Sequence, residues 1–281
     1  MNFNSDEIRK AKEGKNNKDK EIVRKGSNEG LSRLREEMSI SSTDDRIRSL
    51  TVRSIESVSE ALEKSRKRKT EVVFIFDKSA SCSGTEHDTI MGFYDVLRSE
   101  KAGGYNDIIT TVLFDISTTV VHDRKTFDEN IKLNYEADGE STSLYDAVCS
   151  TIKNVERKQC GEKIRTLVVI MTDGYDNSSI LNDLGNTKQL IEQKRRDDWQ
   201  FIFLGAMVNS KDVAQSMGIP VDYAEDYSYE QIGDNFKAIK KALEGIHEDG
   251  EVKSDWSKPI KENRRRLSGG NGPVKRLGNG R

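Results

Sequence analysis

The sequence predicts an α/β fold in which a doubly wound, mostly parallel sheet carries helices on both faces. Three uninterrupted apolar runs, Glu71–Phe76, Leu167–Met171 and Phe201–Leu204, have the β-branched and aromatic composition of strands buried on both faces. These runs alternate with segments of helical periodicity. Strands that alternate with helices of this length form βαβ units, so a parallel sheet is expected.

Helices and a hairpin are predicted between these runs. Ile90, Phe93 and Leu97 lie at helical spacing and predict a first amphipathic helix. Ile108–Phe114 is predicted as a strand, and Thr119–His122 as its antiparallel hairpin partner across a short turn. Further helices are predicted around Leu144–Val155, Leu190–Ile191, Val213–Met217 and Ile232–Ile246, and a short strand near Val221–Tyr223.

Composition divides the chain into four parts. Residues 1–41 have few large apolar side chains and are predicted to be a disordered charged arm. Residues 42–70 are predicted to form an amphipathic helix and a basic linker, and residues 71–247 the folded domain. Because the apolar pattern stops after His247, residues 248–281 are predicted to be a basic, Gly-rich flexible tail.

Charge is distributed unevenly along the chain. Residues 1–70 hold 18 Lys and Arg against 13 Asp and Glu, and residues 251–281 hold 9 against 3, which leaves 19 against 32 for residues 71–250. An acidic domain disfavours nucleic acid as its ligand. The basic clusters Lys64–Lys69 and Arg264–Arg266 leave contact with nucleic acid or an acidic protein open, although no aromatic residues lie between the charges to stack on bases.

The sequence predicts a cytoplasmic protein with free thiols and no membrane contact. No apolar run approaches the ~18 residues of a membrane-spanning helix, and residues 1–7 lack the apolar core of a signal peptide. The three cysteines, Cys82, Cys149 and Cys160, form no C-x-x-C pair and no set that suits a disulfide framework.

Oxygen-bearing side chains follow two of the buried strands. Asp77, Ser79 and Ser81 form a D-x-S-x-S pattern, whose period of two allows all three side chains to face one point. Thr142 precedes an amphipathic helix, and Asp173 ends another buried strand. Ligands of open α/β sheets bind beyond the carboxyl ends of the strands, so these five residues are candidates for one site. Taken alone, D-x-S-x-S also suits a polar turn that caps the next helix.

These segments resemble the metal-ion-dependent adhesion site of the von Willebrand factor A family, which combines D-x-S-x-S with a later Thr and a later Asp commonly followed by Gly. All five positions are present, and the likeness extends over about residues 71–247 and includes the T-x-L-Y-D-A run. The resemblance implies a six-stranded sheet of order 3-2-1-4-5-6 with strand 3 antiparallel. The resemblance is to the stand-alone cytoplasmic members of the family, which are common in bacteria.

The resemblance implies that Asp77, Ser79, Ser81, Thr142 and Asp173 hold one Mg²⁺, with Mn²⁺ or Ca²⁺ as substitutes. Mg²⁺ prefers an octahedron of hard oxygens and usually retains waters. Neutral hydroxyls quench its charge poorly, so a carboxylate from a partner protein can replace a water. The expected function is therefore an adapter that binds a partner's Asp or Glu. Relatives of this type often work beside AAA+ ATPases or stress-response proteins.

Two other classes of function compete with this interpretation. A phosphatase of the haloacid dehalogenase type also begins with a buried strand that ends in Asp, but it needs a second Asp where this chain has Ser79. No phosphate-binding G-x-x-x-x-G-K-[ST] motif and no recognisable Ser–His–Asp set is present, so an enzyme is disfavoured. A metal-independent scaffold that uses the basic arms is the other alternative, and its binding would be unaffected by EDTA.

Other reactive residues near these segments have simpler interpretations. Asp115 is expected to shape a turn. Residues 176–178 are expected to be polar residues of a solvated loop, with a role in shaping the rim of the site as the alternative. His87 and His122 have no second His or Cys at ligand spacing, so each is expected to be exposed or hydrogen-bonded without a metal. Cys82 is expected to be an inert thiol.

Overall fold

The computed structural model describes residues 69–105, 107–127, 130–206 and 208–268. The predicted arm 1–41 lies outside the described residues, as does the predicted helix and linker 42–70 up to residue 68. Residues 269–281 of the predicted tail lie outside them as well.

Strands and helices alternate along the described residues. The strands are β1 (Thr70–Asp77), β2 (Ile108–Phe114), β3 (Thr118–Thr126), β4 (Arg165–Thr172), β5 (Gln200–Gly205) and β6 (Ala224–Asp226). The α-helices are α1 (Glu86–Gly103), α2 (Leu144–Gln159), α3 (Leu184–Arg196), α4 (Ser210–Ser216), α5 (Ile232–Asp249) and α6 (Lys258–Ser268). Short 3₁₀ helices occupy Ala80–Cys82, Val221–Tyr223 and Tyr229–Gln231.

The six strands form one sheet in the order β3-β2-β1-β4-β5-β6. β3 is antiparallel to β2, and all other neighbouring strands are parallel. The predicted α/β fold, its strand order and its antiparallel third strand are confirmed. Because β1, β2 and β4 are parallel neighbours, their carboxyl ends lie at one edge of the sheet, where Asp77 pairs in register with Phe114.

Strand β1 is buried on both faces of the sheet. Val72, Phe74 and Phe76 pack in one apolar core with side chains of α1, α5 and α6. Val73 and Ile75 pack in a second core with side chains of α2, α3 and α4. The alternation of side chains along a strand therefore separates the helices into two layers, as a doubly wound sheet requires.

The prediction of a flexible tail from residue 248 is wrong for residues 248–268. Val252, Trp256 and Ile260 are buried, and Trp256 is 0% exposed. The indole Nε1 of Trp256 donates a hydrogen bond of 2.9 Å to the carbonyl oxygen of Asp222. A Trp side chain buries some 150–250 Å² by itself, so a few apolar residues suffice to dock the otherwise charged segment 252–268, which ends in α6.

The short strand predicted near Val221–Tyr223 lies slightly later in the chain. Val221–Tyr223 is a 3₁₀ turn, closed by a 2.9 Å hydrogen bond from the Tyr223 amide to the carbonyl oxygen of Pro220. The strand begins at Ala224, whose side chain is fully buried. Val221 is 38% exposed, so its β-branched side chain does not mark a position in the sheet.

The cysteines and histidines agree with the predictions made for them. Cys82 and Cys149 are buried and Cys160 is exposed, and all three are free thiols. His87 is exposed. His122 is buried, stacks on Phe93 and places its Nε2 at 3.0 Å from the carbonyl oxygen of Lys132. None of the described helices is both long enough and apolar enough to cross a membrane.

We expect Trp256→Ala to lower the free energy of unfolding by about 3–5 kcal/mol, because it leaves a cavity in the core and removes a hydrogen bond. Chemical denaturation monitored by circular dichroism would measure the change. Met91→Ala is the control, because Met91 is 42% exposed and its loss should change the free energy by no more than about 0.5 kcal/mol. Equal effects of the two substitutions would contradict the docking of α6.

We expect His122 to make the protein less stable in mild acid. Burial lowers the pKa of His122 below its ordinary value of 6.5. Its buried Nδ1 has no hydrogen-bond partner among the described residues, so a second proton on the ring would have no acceptor there. The unfolded chain therefore takes up this proton first, and stability is lost as the pH falls through the ordinary value. His122→Gln keeps a side-chain N–H donor and does not titrate. Denaturation between about pH 7.5 and 5.5 should show a loss of stability in the wild type that the variant lacks, and parallel curves would refute this.

Candidate metal centre

The turn after β1 fixes the first three candidate ligands. The backbone amide of Ser79 donates a 2.9 Å hydrogen bond to Oδ1 of Asp77. The chain then enters the 3₁₀ turn Ala80–Cys82, so the segment folds back across the edge of the sheet. Asp77 and Ser79 are buried, whereas Ser81 is exposed. This candidate site is therefore open to solvent on the Ser81 side.

Asp173, the first residue after β4, joins these side chains through hydrogen bonds. The hydroxyl of Ser81 donates a 2.8 Å hydrogen bond to Oδ1 of Asp173. The hydroxyl oxygens of Ser79 and Ser81 lie 3.1 Å apart. A continuous chain of oxygen atoms therefore extends from Ser79 to Asp173, between two strands that are neighbours in the sheet.

Thr142, which comes from the third segment of the candidate site, lies beside the residue that follows Asp173. A Cβ atom added at Gly174 would lie 3.2 Å from Oγ1 of Thr142, so this glycine leaves room for the hydroxyl. Reciprocal hydrogen bonds hold the two loops together: the Thr142 amide donates to Oδ1 of Asn177 at 2.9 Å, and the Asn177 amide donates to the Thr142 carbonyl at 3.0 Å. All five predicted residues therefore lie at the same edge of the sheet.

Residues outside the predicted set hold the two carboxylates in place. Thr172 donates a 2.5 Å hydrogen bond to Oδ2 of Asp77. Tyr229 donates a 2.6 Å hydrogen bond to Oδ2 of Asp173, and Tyr135 donates one of the same length to the carbonyl oxygen of Asp77. The sequence analysis missed all three. Thr172 could have been found from its place beside Asp173 at a strand end, but neither tyrosine lies in a recognisable pattern.

The loop after Asp173 has a structural role. Asn177 is exposed, as predicted for a solvated loop, and Asp176 is half-buried, but both also shape the rim of the site through hydrogen bonds. Asp176 accepts a 3.1 Å hydrogen bond from the Tyr145 amide in the first turn of α2. Asn177 holds the Thr142 backbone, as described above. Asp115 has the predicted turn role, since its Oδ1 accepts hydrogen bonds from the amide and hydroxyl of Ser117.

Negative charge is concentrated at this edge, and the described residues supply no cation to match it. Carboxylate oxygens of Asp77 and Asp173 lie within 4.8 Å of each other and of the Cys82 sulfur. In the described part of the chain, neither carboxylate forms an ion pair with Lys, Arg or His. The nearest basic neighbour in sequence, Lys78, pairs with Asp115 at 2.8 Å instead.

Burial changes the protonation of the groups at this edge. It raises the pKa of Asp77, and the charge of Asp173 raises it further, while hydrogen bonds from Thr172 and Ser79 oppose the shift. Burial also raises the pKa of the Cys82 thiol, an effect increased by Asp77 and Asp173. The Cys82 thiol therefore stays protonated near neutral pH, as expected for an inert thiol.

The donor set at this edge suits a hard cation. It consists of two carboxylates and three hydroxyls, which are the ligand types that Mg²⁺ and Ca²⁺ take in proteins. A divalent ion would also offset the repulsion between the two close carboxylates. The residues present therefore fit the ion that the sequence pattern implies.

Comparison with known proteins gives likenesses in structure alone. No protein-family profile and no curated protein sequence matches the chain. The chain is similar to the pilus adhesin SpaC from Lactobacillus rhamnosus GG in its open conformation, with 11% identity and a TM-score of 0.51 over 62% of this chain and 30% of SpaC.

Two further structures are similar to a lesser degree. A von Willebrand factor type A protein from Catenulispora acidiphila has 13% identity and a TM-score of 0.49 over 63% of this chain and 43% of that one. Proximal thread matrix protein 1 from the mussel byssus has 12% identity and a TM-score of 0.45 over 62% of this chain and 45% of its own. This chain thus spans less than half the length of each of the three. The strand order described above, with its antiparallel third strand, is that of the von Willebrand factor A-type fold.

Proposed function

We propose that this protein is a Mg²⁺-dependent protein-binding module. Asp77, Ser79, Ser81, Thr142 and Asp173 hold one ion, and the ion captures an Asp or Glu carboxylate of a partner protein. One observation supports this most directly: oxygen-bearing side chains from three separate segments lie at the carboxyl edge of the sheet, and the two carboxylates among them have no basic partner in the described residues.

The hydrogen bonds suggest different roles for the carboxylate of Asp77 and for the hydroxyl ligands. Both oxygens of Asp77 already accept hydrogen bonds, from the Ser79 amide and the Thr172 hydroxyl, so Asp77 anchors the site and orients the bound waters. Ser79, Ser81 and Thr142 offer neutral hydroxyls to the ion. If the hydroxyls contact the ion and the two carboxylates act through bound water, the charge of Mg²⁺ is only partly compensated, so a carboxylate from outside is a favourable additional ligand.

Exposed apolar side chains beside the site support a protein as the partner. Ile116 is 65% exposed, and its carbonyl oxygen accepts a 3.4 Å hydrogen bond from Ser143, the residue after Thr142. Tyr175 is 57% exposed and lies two residues after Asp173. A large aromatic and a large aliphatic residue at a polar rim are typical of a protein-binding surface. The favoured target is an acidic residue with apolar neighbours.

Binding, and not catalysis, is the activity that we propose. Ser79 occupies the place of the second Asp that a phosphatase of the haloacid dehalogenase type requires. We place the module in the cytoplasm, since three unpaired cysteines suit a reducing compartment. The family resemblance suggests an AAA+ ATPase or a stress-response protein as the partner.

We expect Mg²⁺ to stabilise the protein through this site. An ion that binds the folded state alone adds about 2.7 kcal/mol to the free energy of unfolding when its concentration is ~100 times the dissociation constant. Thermal denaturation of the full chain with and without Mg²⁺, after treatment with EDTA, would measure this gain. The double substitution Ser79→Ala/Ser81→Ala should abolish it.

Ser83→Ala is the matched control for that experiment. Ser83 lies two residues after Ser81, is exposed and is outside the candidate ligand set, so its loss should leave the response to Mg²⁺ intact. If the double variant gained as much stability from Mg²⁺ as Ser83→Ala, the assignment of the ligands would be wrong.

We expect partner binding to depend on the ion. Wild-type protein on a resin should recover a partner from lysate with Mg²⁺, lose it on washing with EDTA and recover it when Mg²⁺ is restored. Asp173→Ala should recover no partner under any of these conditions, because it removes a candidate ligand. Equal recovery in all cases would instead favour the metal-independent scaffold.

A further inference from the structure

Three buried side chains with metal-binding groups meet at the amino edge of the sheet, opposite Asp77. Glu100 lies in the last turn of α1, Asp107 immediately precedes β2, and His247 lies in the last turn of α5. Their exposed fractions are 3%, 3% and 4%. The end of α1, the start of β2 and the distant end of α5 therefore bring two carboxylates and one imidazole into a shared buried position.

These groups are close enough to become ligands of one small ion after a small adjustment. Nε2 of His247 lies 2.6 Å from Oδ2 of Asp107 and 3.5 Å from Oε2 of Glu100. One donor atom from each residue lies within 4.8 Å of the other two. Tetrahedral Zn²⁺ with bonds of ~2.0–2.1 Å places its ligand atoms about 3.3 Å apart. The distance from His247 to Glu100 fits this value, and the ion would replace the shorter hydrogen bond between His247 and Asp107.

One buried oxygen of the cluster has no partner among the described residues. Oε2 of Glu100 is buried and accepts no hydrogen bond from them, although it faces the imidazole of His247. Among the ion pairs of the described residues, those of Glu100 and Asp107 are made with His247 alone. One imidazole cannot neutralise two buried carboxylates, and a buried charge without compensation is strongly unfavourable.

Surrounding residues support two of the three side chains, Asp107 and His247. The backbone amide of Thr70, at the start of β1, donates a 2.8 Å hydrogen bond to Oδ1 of Asp107 and leaves Oδ2 directed at His247. The ring of Tyr105 stacks on the imidazole of His247, with centroids 3.6 Å apart and planes inclined by 14°. Such support of the ligands from behind is a regular feature of metal sites.

We propose that Glu100, Asp107 and His247 bind one divalent transition-metal ion of the Zn²⁺ type. A set of one imidazole nitrogen and two carboxylate oxygens suits Zn²⁺, which accepts three protein ligands and a water. The candidate Mg²⁺ site at the carboxyl edge contains oxygen ligands alone, so the two sites differ in both place and metal preference. An ion here would connect the ends of α1 and α5 to the start of β2.

A proton is the other possible occupant. Burial raises the pKa of Glu100 above its usual range, and the nearby Asp107 raises it further. A carboxyl group that keeps its proton would relieve the same repulsion without any metal. The two possibilities differ in what Glu100→Gln does, because Gln resembles the protonated acid in shape and charge but is a poor metal ligand.

Calorimetric titration with Zn²⁺ distinguishes a metal ion bound by the cluster from a proton on Glu100. The full chain would carry Ser79→Ala/Ser81→Ala, so that the Mg²⁺ site does not contribute, and would first be stripped with a chelator. We expect one equivalent of Zn²⁺ to bind, and excess Mg²⁺ not to displace it. Since loss of even an indirect support of a metal ligand weakens binding ~10–100-fold, Glu100→Gln should weaken it at least ~10-fold.

Two variants complete the test. Glu244→Gln is the control, because Glu244 is an exposed carboxylate of α5 near Glu100 but outside the cluster, and it should bind Zn²⁺ normally. If Glu100→Gln does not fold, as judged by circular dichroism, His247→Gln takes its place, since it keeps an N–H donor for Asp107. The proposal is overturned if the parent chain binds no Zn²⁺, or if the folded cluster variant binds it as tightly as Glu244→Gln. Neither result bears on Mg²⁺ binding at the other edge.

Discussion

The burial of strand β1 on both faces is the constraint on which the rest of the structure depends. Every residue of Thr70–Asp77 is buried, and complete burial of a large side chain such as Phe74 or Phe76 stabilises the fold by about 1.5–3 kcal/mol. A shift of β1 by one residue would exchange its two faces and disrupt both cores, so its register is strongly specified. The turn that follows therefore begins at a fixed point, and Asp77, Ser79 and Ser81 have defined positions before any ion binds.

Much of the sheet could be predicted from the sequence because a doubly buried strand is a local signal. An uninterrupted apolar run such as Leu167–Met171 identifies a central strand without knowledge of its neighbours. The candidate site could be predicted for a related reason. Asp77 and Asp173 each follow such a run, and parallel strands place their carboxyl ends together.

The rest of the fold and of the candidate site depends on contacts between distant segments, and such contacts leave no local pattern in the sequence. Tyr229 and Tyr135 reach the site across 56 and 58 residues of sequence. Asn177 lies in a segment with the composition of an ordinary loop. Its role is recognised only from the structure, in which it accepts a hydrogen bond from the backbone of Thr142. The cluster of Glu100, Asp107 and His247 was missed for the same reason, since its members come from three separate elements. Helix α6 was missed because its few apolar residues lie among many charges.

The docking of α6 also defines how much of the chain makes a self-sufficient unit. A fragment ending at residue 247 would include every candidate Mg²⁺ ligand, yet it would expose the apolar surface that Trp256 covers. Exposed surface of that kind favours self-association, and aggregated material can retain other proteins without regard to any bound ion. In measurements on such a shortened fragment, proteins retained by aggregates would be mistaken for specifically bound partners. The shortest reliable unit therefore extends through residue 268, even though α6 contributes none of the candidate ligands.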